Sequence, residues 1–131
     1  MIGYVCVGTN DLEKARAFYA GLTAALGGSE LMRMEENGFT LYGTSWGEPG
    51  IAVLTPYNGE PATVGNGMMI ALAVDTRAKA DMVHAKALEL GGTCEGPPGV
   101  RGEDGDQAFY GAYFRDLDGN KLCAFKVGPA D

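Results

Sequence analysis

Histidine is the scarcest useful side chain here: His84 is the single one in 131 residues. A two-histidine iron site for oxygen chemistry is therefore impossible within one chain. No Ser-His-Asp arrangement can be assembled around that residue with any specificity. Cysteine is also sparse. Cys6, Cys94 and Cys123 form an odd set with no CxxC spacing, which argues against a disulfide scaffold and fits a reducing compartment. No apolar run approaches membrane-spanning length, and no basic region precedes an apolar stretch at the start, so the expectation is a mature cytoplasmic chain. Basic residues are few, ten against 17 acidic ones, for a net charge of -7, and they are dispersed. That distribution speaks against a nucleic-acid surface and an anionic membrane surface alike. No P-loop or GxGxxG follows a strand into a helix.

What is present is ordinary globular material. Hydrophobic residues make up 46% and charged residues 21%, in a length typical of a single domain, 1–131. The 21 glycines are scattered between apolar runs and read as turns. Tyr4-Val5-Cys6-Val7 reads as a strand. Asn10 is the expected cap of a following helix, with Glu13 reaching back, and Leu12, Ala15, Phe18 or Tyr19, Leu22 and Leu26 recur at helical spacing. Gly27-Gly28 ends that helix. Strands are expected at Leu31–Glu35, at Phe39–Gly43 after an Asn37-Gly38 turn, and at Ile51–Thr55. A polar linker, Pro56–Gly67, leads to a second pass through the same order. The strand Met69–Val74 is followed by a helix opened by Asp75-Thr76 and closed by Gly91-Gly92. Strands follow near Thr93–Glu95, Ala108–Phe114 and Lys121–Val127.

The repeat is visible in register. At a displacement of 64 residues, Leu26-Gly27-Gly28 falls on Leu90-Gly91-Gly92. The fold class expected is α+β: two βαβββ modules, 1–58 and 66–131, forming a curved, largely antiparallel sheet with a concave pocket. A concave, partly apolar face between repeats is where small molecules usually bind. A ferredoxin-like α+β dimerisation module is the alternative, and three strands after each helix weigh against it.

Two segments carry a family resemblance. Met1–Val7 with Asp11-Leu12-Glu13-Lys14-Ala15 and Phe18-Tyr19 is similar to the first strand and helix of the vicinal-oxygen-chelate superfamily of glyoxalases, bleomycin-resistance proteins and ring-cleaving dioxygenases. Phe109–Cys123, with its Asp116-Leu117-Asp118-Gly119-Asn120 turn, resembles that family's last hairpin. The resemblance implies a divalent metal held by His and Glu side chains. Carried over by position, those ligands fall on Tyr4, on Met69 (or Met68) and on Cys123, and the fourth strand offers only Ile51, Val53 and Thr55. A phenol, a thioether and a thiol do not form a hard-metal site, so no metal and no cofactor is expected. The resemblance also implies a homodimer.

Strand alternation sorts the residues. Val5, Val7, Ile70, Leu72, Val74, Leu122 and Ala124 share the parity expected to face the helices. Tyr4, Cys6, Met69, Ala71, Ala73, Cys123 and Phe125 share the other. The candidate ligand-binding residues are thus Tyr4, Cys6, Met69, Ala71, Cys123 and Phe125, with Trp46, Tyr42, Tyr110 and Tyr113 at the entrance. Arg101 joins them from a Glu95–Gln107 loop read as a lid for an anionic ligand. These side chains either bind a planar or apolar ligand or fill the cavity as core. No catalytic residue is assigned. The functional expectation is a metal-independent small-molecule-binding protein; the alternatives are a lyase, isomerase or dioxygenase with an atypical metal site, and a structural dimer module.

Overall fold

The computed structural model describes residues 1–131. The elements run β1 (Tyr4–Gly8), α1 (Leu12–Ala24), β2 (Ser29–Arg33), β3 (Thr40–Gly43), β4 (Gly50–Leu54), β5 (Ile70–Ala73), α2 (Arg77–Glu89), β6 (Thr93–Arg101), β7 (Phe109–Arg115) and β8 (Lys121–Val127). A single 3-10 turn, Glu36–Gly38, precedes β3. The strand-helix-three-strand order therefore occurs twice. Its strands divide into two four-stranded sheets, ordered β1-β4-β3-β2 and β5-β8-β7-β6. In each sheet the first and last strands of the unit pair in parallel and the other pairs are antiparallel.

Local chemistry sets these boundaries. Asn37 and Gly38 take positive φ values of 39° and 68°, as the turn before β3 demands. The cap of α1 is Asp11, one residue later than the sequence suggests: its carboxylate accepts from the Lys14 N–H at 3.2 Å. Asn10 is occupied otherwise. Its side chain donates to the Ala62 carbonyl and accepts from the Ala62 N–H, tying the linker to the β1–α1 turn. Glu13 pairs with Arg16 instead of reaching back. Helix α2 is capped by Thr76, whose hydroxyl accepts from the Lys79 N–H at 3.0 Å. Its first turn has a second acceptor: the Asp131 side chain accepts from the N–H groups of Arg77 and Ala78.

Helix α1 packs on the first sheet, α2 on the second, and the helices touch each other. One core results. Val7, Phe18, Leu22 and Val53 from the first half join Val83, Ala87, Phe114 and Leu122 from the second in a single buried cluster. The alternation read from the sequence agrees on this side, since Val5, Ile70, Leu72 and Val74 also pack against that cluster.

The start of α2 gives a pH dependence. The Arg77 backbone N–H, and after it Ala78 and Lys126, holds the Asp131 carboxyl below the usual carboxylate range. The Arg77 guanidinium does the same to Asp104. A carboxyl depressed in the folded state contributes stability above its unfolded pKa, near 3.9 for aspartate, and that contribution is lost as pH falls through the folded value. Urea unfolding across acid pH should show stability declining below about pH 4, with Asp131→Asn flattening the slope. An unchanged slope in that variant would remove Asp131 from the account.

Candidate ligand-binding faces

With one side of each sheet under a helix, the alternate residues of the same strands point outward. In the first sheet the parallel register places Tyr4 beside Gly50 and Cys6 beside Ala52, and β3 sets Leu41 against Ala52. A depression of about 470 Å³ lies on this face, lined by Tyr4, Leu31, Met34, Phe39, Trp46 and Glu48 among others. The Tyr4 and Phe39 rings meet edge to face at 5.6 Å. Tyr4 and Trp46 remain 53% and 68% exposed, so this apolar surface lies open in the single chain. Cys6 is exposed on the same face, its thiol pushed up by desolvation.

A second depression, about 580 Å³, lies along β5 and is lined by Ile2, Val5, Ile51, Met69, Ala71 and Leu72 among others. Glu48 in the β3–β4 connection borders both depressions.

The outward face of the second sheet has a different character. Register sets Ala71 beside Cys123 and Ala73 beside Phe125, with Tyr113 and Gly111 opposite them on β7. Phe109 stacks on Phe125 at 5.5 Å, 7° from parallel. The Arg101 guanidinium lies over the Tyr113 ring at 5.2 Å and donates to the carbonyls of Pro97 and Gly99. Lys121 Nζ sits 5.5 Å from the same ring. Cations gather on aromatic faces through the ring quadrupole. In this acidic chain the gathering is uncompensated. Lys14, Arg16, Arg33, Arg77, Lys86, Arg115 and Lys126 each have a carboxylate within 4.0 Å, whereas Lys79, on α2, and Arg101 and Lys121, on this face, have none.

Two expectations need correction. Arg101 is not in a lid: β6 extends through Gly96, Pro97, Pro98 and Gly99 to Arg101, its ladder broken by register shifts that absorb the prolines. Tyr110 is on the helix side, where its hydroxyl donates to Asp81 at 2.6 Å and its ring lies under Arg77. Tyr42, read with it as an entrance residue, is buried in the core, its hydroxyl donating to the Arg16 carbonyl.

The structure thus brings Tyr4 and Trp46 together on one depression and Met69 and Ala71 on another. Arg101, Cys123 and Phe125 share the second sheet. The three positions to which the resemblance carries the metal ligands do not converge within the chain, because Tyr4 and Met69 line separate depressions and Cys123 lines neither. Cys123 is fully buried, and desolvation pushes its thiol up against the opposing influence of the Leu72 backbone and Lys121. No group of three or more His, Cys, Asp or Glu side chains is disposed to hold a metal ion. The residues present do not fit the divalent site that the sequence resemblance implies. Sequence reading missed Lys121 as a partner of Arg101, although β8 parity places it with Cys123. It also missed a contact between His84 and Cys94, for which no periodic signal exists.

The glyoxalase/bleomycin resistance protein/dioxygenase superfamily model matches residues 1–124. The chain belongs to that superfamily. A superfamily member of known structure, a glyoxalase/bleomycin resistance protein from Albidiferax ferrireducens T118, is 38% identical over 96% of this chain and 98% of its own, with a TM-score of 0.83. The hypothetical protein SA1046 from S. aureus is 26% identical, covers 94% and 91% of the two chains and superposes with a TM-score of 0.68. TnmS3, an antibiotic binding protein from Streptomyces sp. CB03234, has the same fold at 19% identity, with 98% and 96% coverage and a TM-score of 0.66. No curated protein matches the chain. As in other members of the superfamily fold, two helices and two four-stranded mixed sheets make up the chain. Neither helix is long and apolar enough to cross a membrane.

Proposed function

We propose that this superfamily member is a homodimeric small-molecule-binding protein that works without a metal. Its ligand is planar and carries an anionic group. The observation that carries the reading is the pairing of two uncompensated cations, Arg101 and Lys121, on the Tyr113 ring beside the stacked Phe109 and Phe125. A planar ligand stacks on such a surface, and a carboxylate or similar group meets a guanidinium with donors to spare.

The dimer supplies the other wall. Each sheet leaves one face uncovered: apolar with Tyr4, Met34 and Trp46 on the first, cationic and aromatic on the second. A twofold axis that lays the first sheet of one chain over the second sheet of its partner covers both faces twice, which is the self-complementary geometry of an isologous dimer. The fold accommodates such a role, since TnmS3 is an antibiotic binding protein.

The test uses 2-naphthoate and its neutral analogue 2-naphthamide, with the fluorescence of Trp46, the single tryptophan, as the reporter. Naphthoate should bind with chelator present and more tightly than the amide. Arg101→Ala should weaken naphthoate by about tenfold, the scale of one charge-assisted hydrogen bond. Equal affinity for acid and amide would reject the anionic ligand class, and a monomer by light scattering would reject the shared site. Binding or turnover abolished by chelation would favour the metalloenzyme alternative.

A further inference from the structure

Away from both outward faces, His84 and Cys94 meet between α2 and β6. His84 is buried, with 6% of its surface exposed, and packs edge to face on Phe114. Its Nε2 lies 3.3 Å from the Cys94 Sγ. Cys94 stands opposite Phe114 in the ladder, on the helix side of β6, and β6 is the edge strand of its sheet. Cys94 is nonetheless an exposed residue. A nucleophile open to solvent is therefore backed by an imidazole that is not.

The ring's environment selects its state. Desolvation lowers the His84 pKa, against weaker opposition from the Tyr113 backbone and from Asp81, so the ring is neutral at neutral pH. Asp81 is itself engaged by the Tyr110 hydroxyl. In the neutral tautomer that carries its proton on Nδ1, Nε2 presents a lone pair and the Cys94 S–H is the donor. The other thiols lack this arrangement: Cys123 is buried, and no histidine neighbours Cys6.

We propose that Cys94 and His84 form a thiol–imidazole pair and that Cys94 is a site of covalent modification by soft carbon electrophiles of the α,β-unsaturated carbonyl class. As sulfur attacks the β-carbon, the C–S bond forms and the S–H proton passes to Nε2. The π pair of the alkene moves onto the carbonyl as an enolate. The imidazolium returns the proton to that enolate, leaving a saturated thioether and a neutral ring. Nothing is oxidised or reduced, and no group leaves. A base held against the nucleophile is the arrangement that activates thiols.

Acrylamide, a simple member of that class, is the probe. Labelling of the three cysteines is followed by peptide mass spectrometry at neutral pH in the native chain and in the guanidinium-denatured chain. Native Cys94 should react at least about tenfold faster than the same residue denatured, a modest share of what a positioned base supplies. Cys123 should be protected. His84→Gln should remove the Cys94 advantage and leave the Cys6 rate unchanged. Native Cys94 reacting no faster than in the denatured chain would overturn the proposal without recourse to any variant. An undiminished Cys94 rate in folded His84→Gln would overturn the part played by the imidazole.

Discussion

Asp116→Ala should lower the unfolding free energy by about 4 kcal/mol, enough to consume much of the margin of a typical domain. Asp116 is 5% exposed in the turn between β7 and β8. Its carboxylate accepts from the Tyr19 hydroxyl at 2.6 Å, from the N–H groups of Asp118 and Asn120 at 2.9 Å, and from Asn120 Nδ2 at 2.9 Å. Alanine leaves these donors without their acceptor, and buried donors stripped of a charged partner cost far more than the bond's net worth. The loss also reaches across the molecule. Tyr19 belongs to α1, Asn120 donates to the Gly8 carbonyl of β1, and Asp118 accepts from the Asn10 N–H. This one turn joins the second half to the first. Burial, and then the Asp116 charge, pushes the Tyr19 phenol well above its usual range, so it stays a donor at all ordinary pH. Tyr19→Phe should accordingly cost less, about 2 kcal/mol. Urea denaturation of both variants is the measurement. An Asp116→Ala loss below about 1 kcal/mol would mean that neighbouring waters replace the network.

The second large effect concerns the glycine pairs that end the helices. Gly27 and Gly91 adopt φ values of 80° and 101°, the left-handed conformation that closes a helix. Their followers do a different job. A Cβ on Gly92 would lie 2.6 Å from the Arg115 carbonyl oxygen and 2.9 Å from that of Ala87, both backbone atoms. A Cβ on Gly28 would meet the Gly43 and Thr23 carbonyl oxygens at 3.0 and 3.3 Å. Gly92→Ala should therefore cost about 3 kcal/mol, because backbone must move, and Gly28→Ala roughly half as much. Gly27→Ala meets no atom within 4 Å, and its penalty, about 1 kcal/mol, is conformational alone. Thermal or urea unfolding of the three variants tests the order. Gly28→Ala proving worse than Gly92→Ala would show that the chain after α2 relaxes more readily than its counterpart.

Much of this was legible in the sequence because it is periodic. Asn37-Gly38, Gly27 and Gly91 announce positive φ, and the two-residue alternation of Val5, Val7, Leu122 and Ala124 places them under the helices. The failures occur where a non-local contact decides. Asn10 is a good cap by type, yet Ala62 takes its side chain and Asp11 caps instead. Gly96-Pro97-Pro98-Gly99 reads as a strand breaker, yet an edge strand with register shifts tolerates it and carries Arg101 onto the sheet. Tyr110 and Tyr113 look alike in sequence, and ladder register alone separates the helix-facing one from the outward one. No rule of spacing brings Cys94 to His84, because the turn between α2 and β6 sets that distance.

The division of labour along each strand has an evolutionary consequence. Stability resides in the helix-side positions and in a single polar turn, while the proposed function assigns recognition to outward positions of β1, β5, β7 and β8. Drift at the exposed ones among them, such as Tyr4, Cys6 and Ala71, costs little in folding, so a scaffold used in this way would change its clientele rapidly while its architecture stands still.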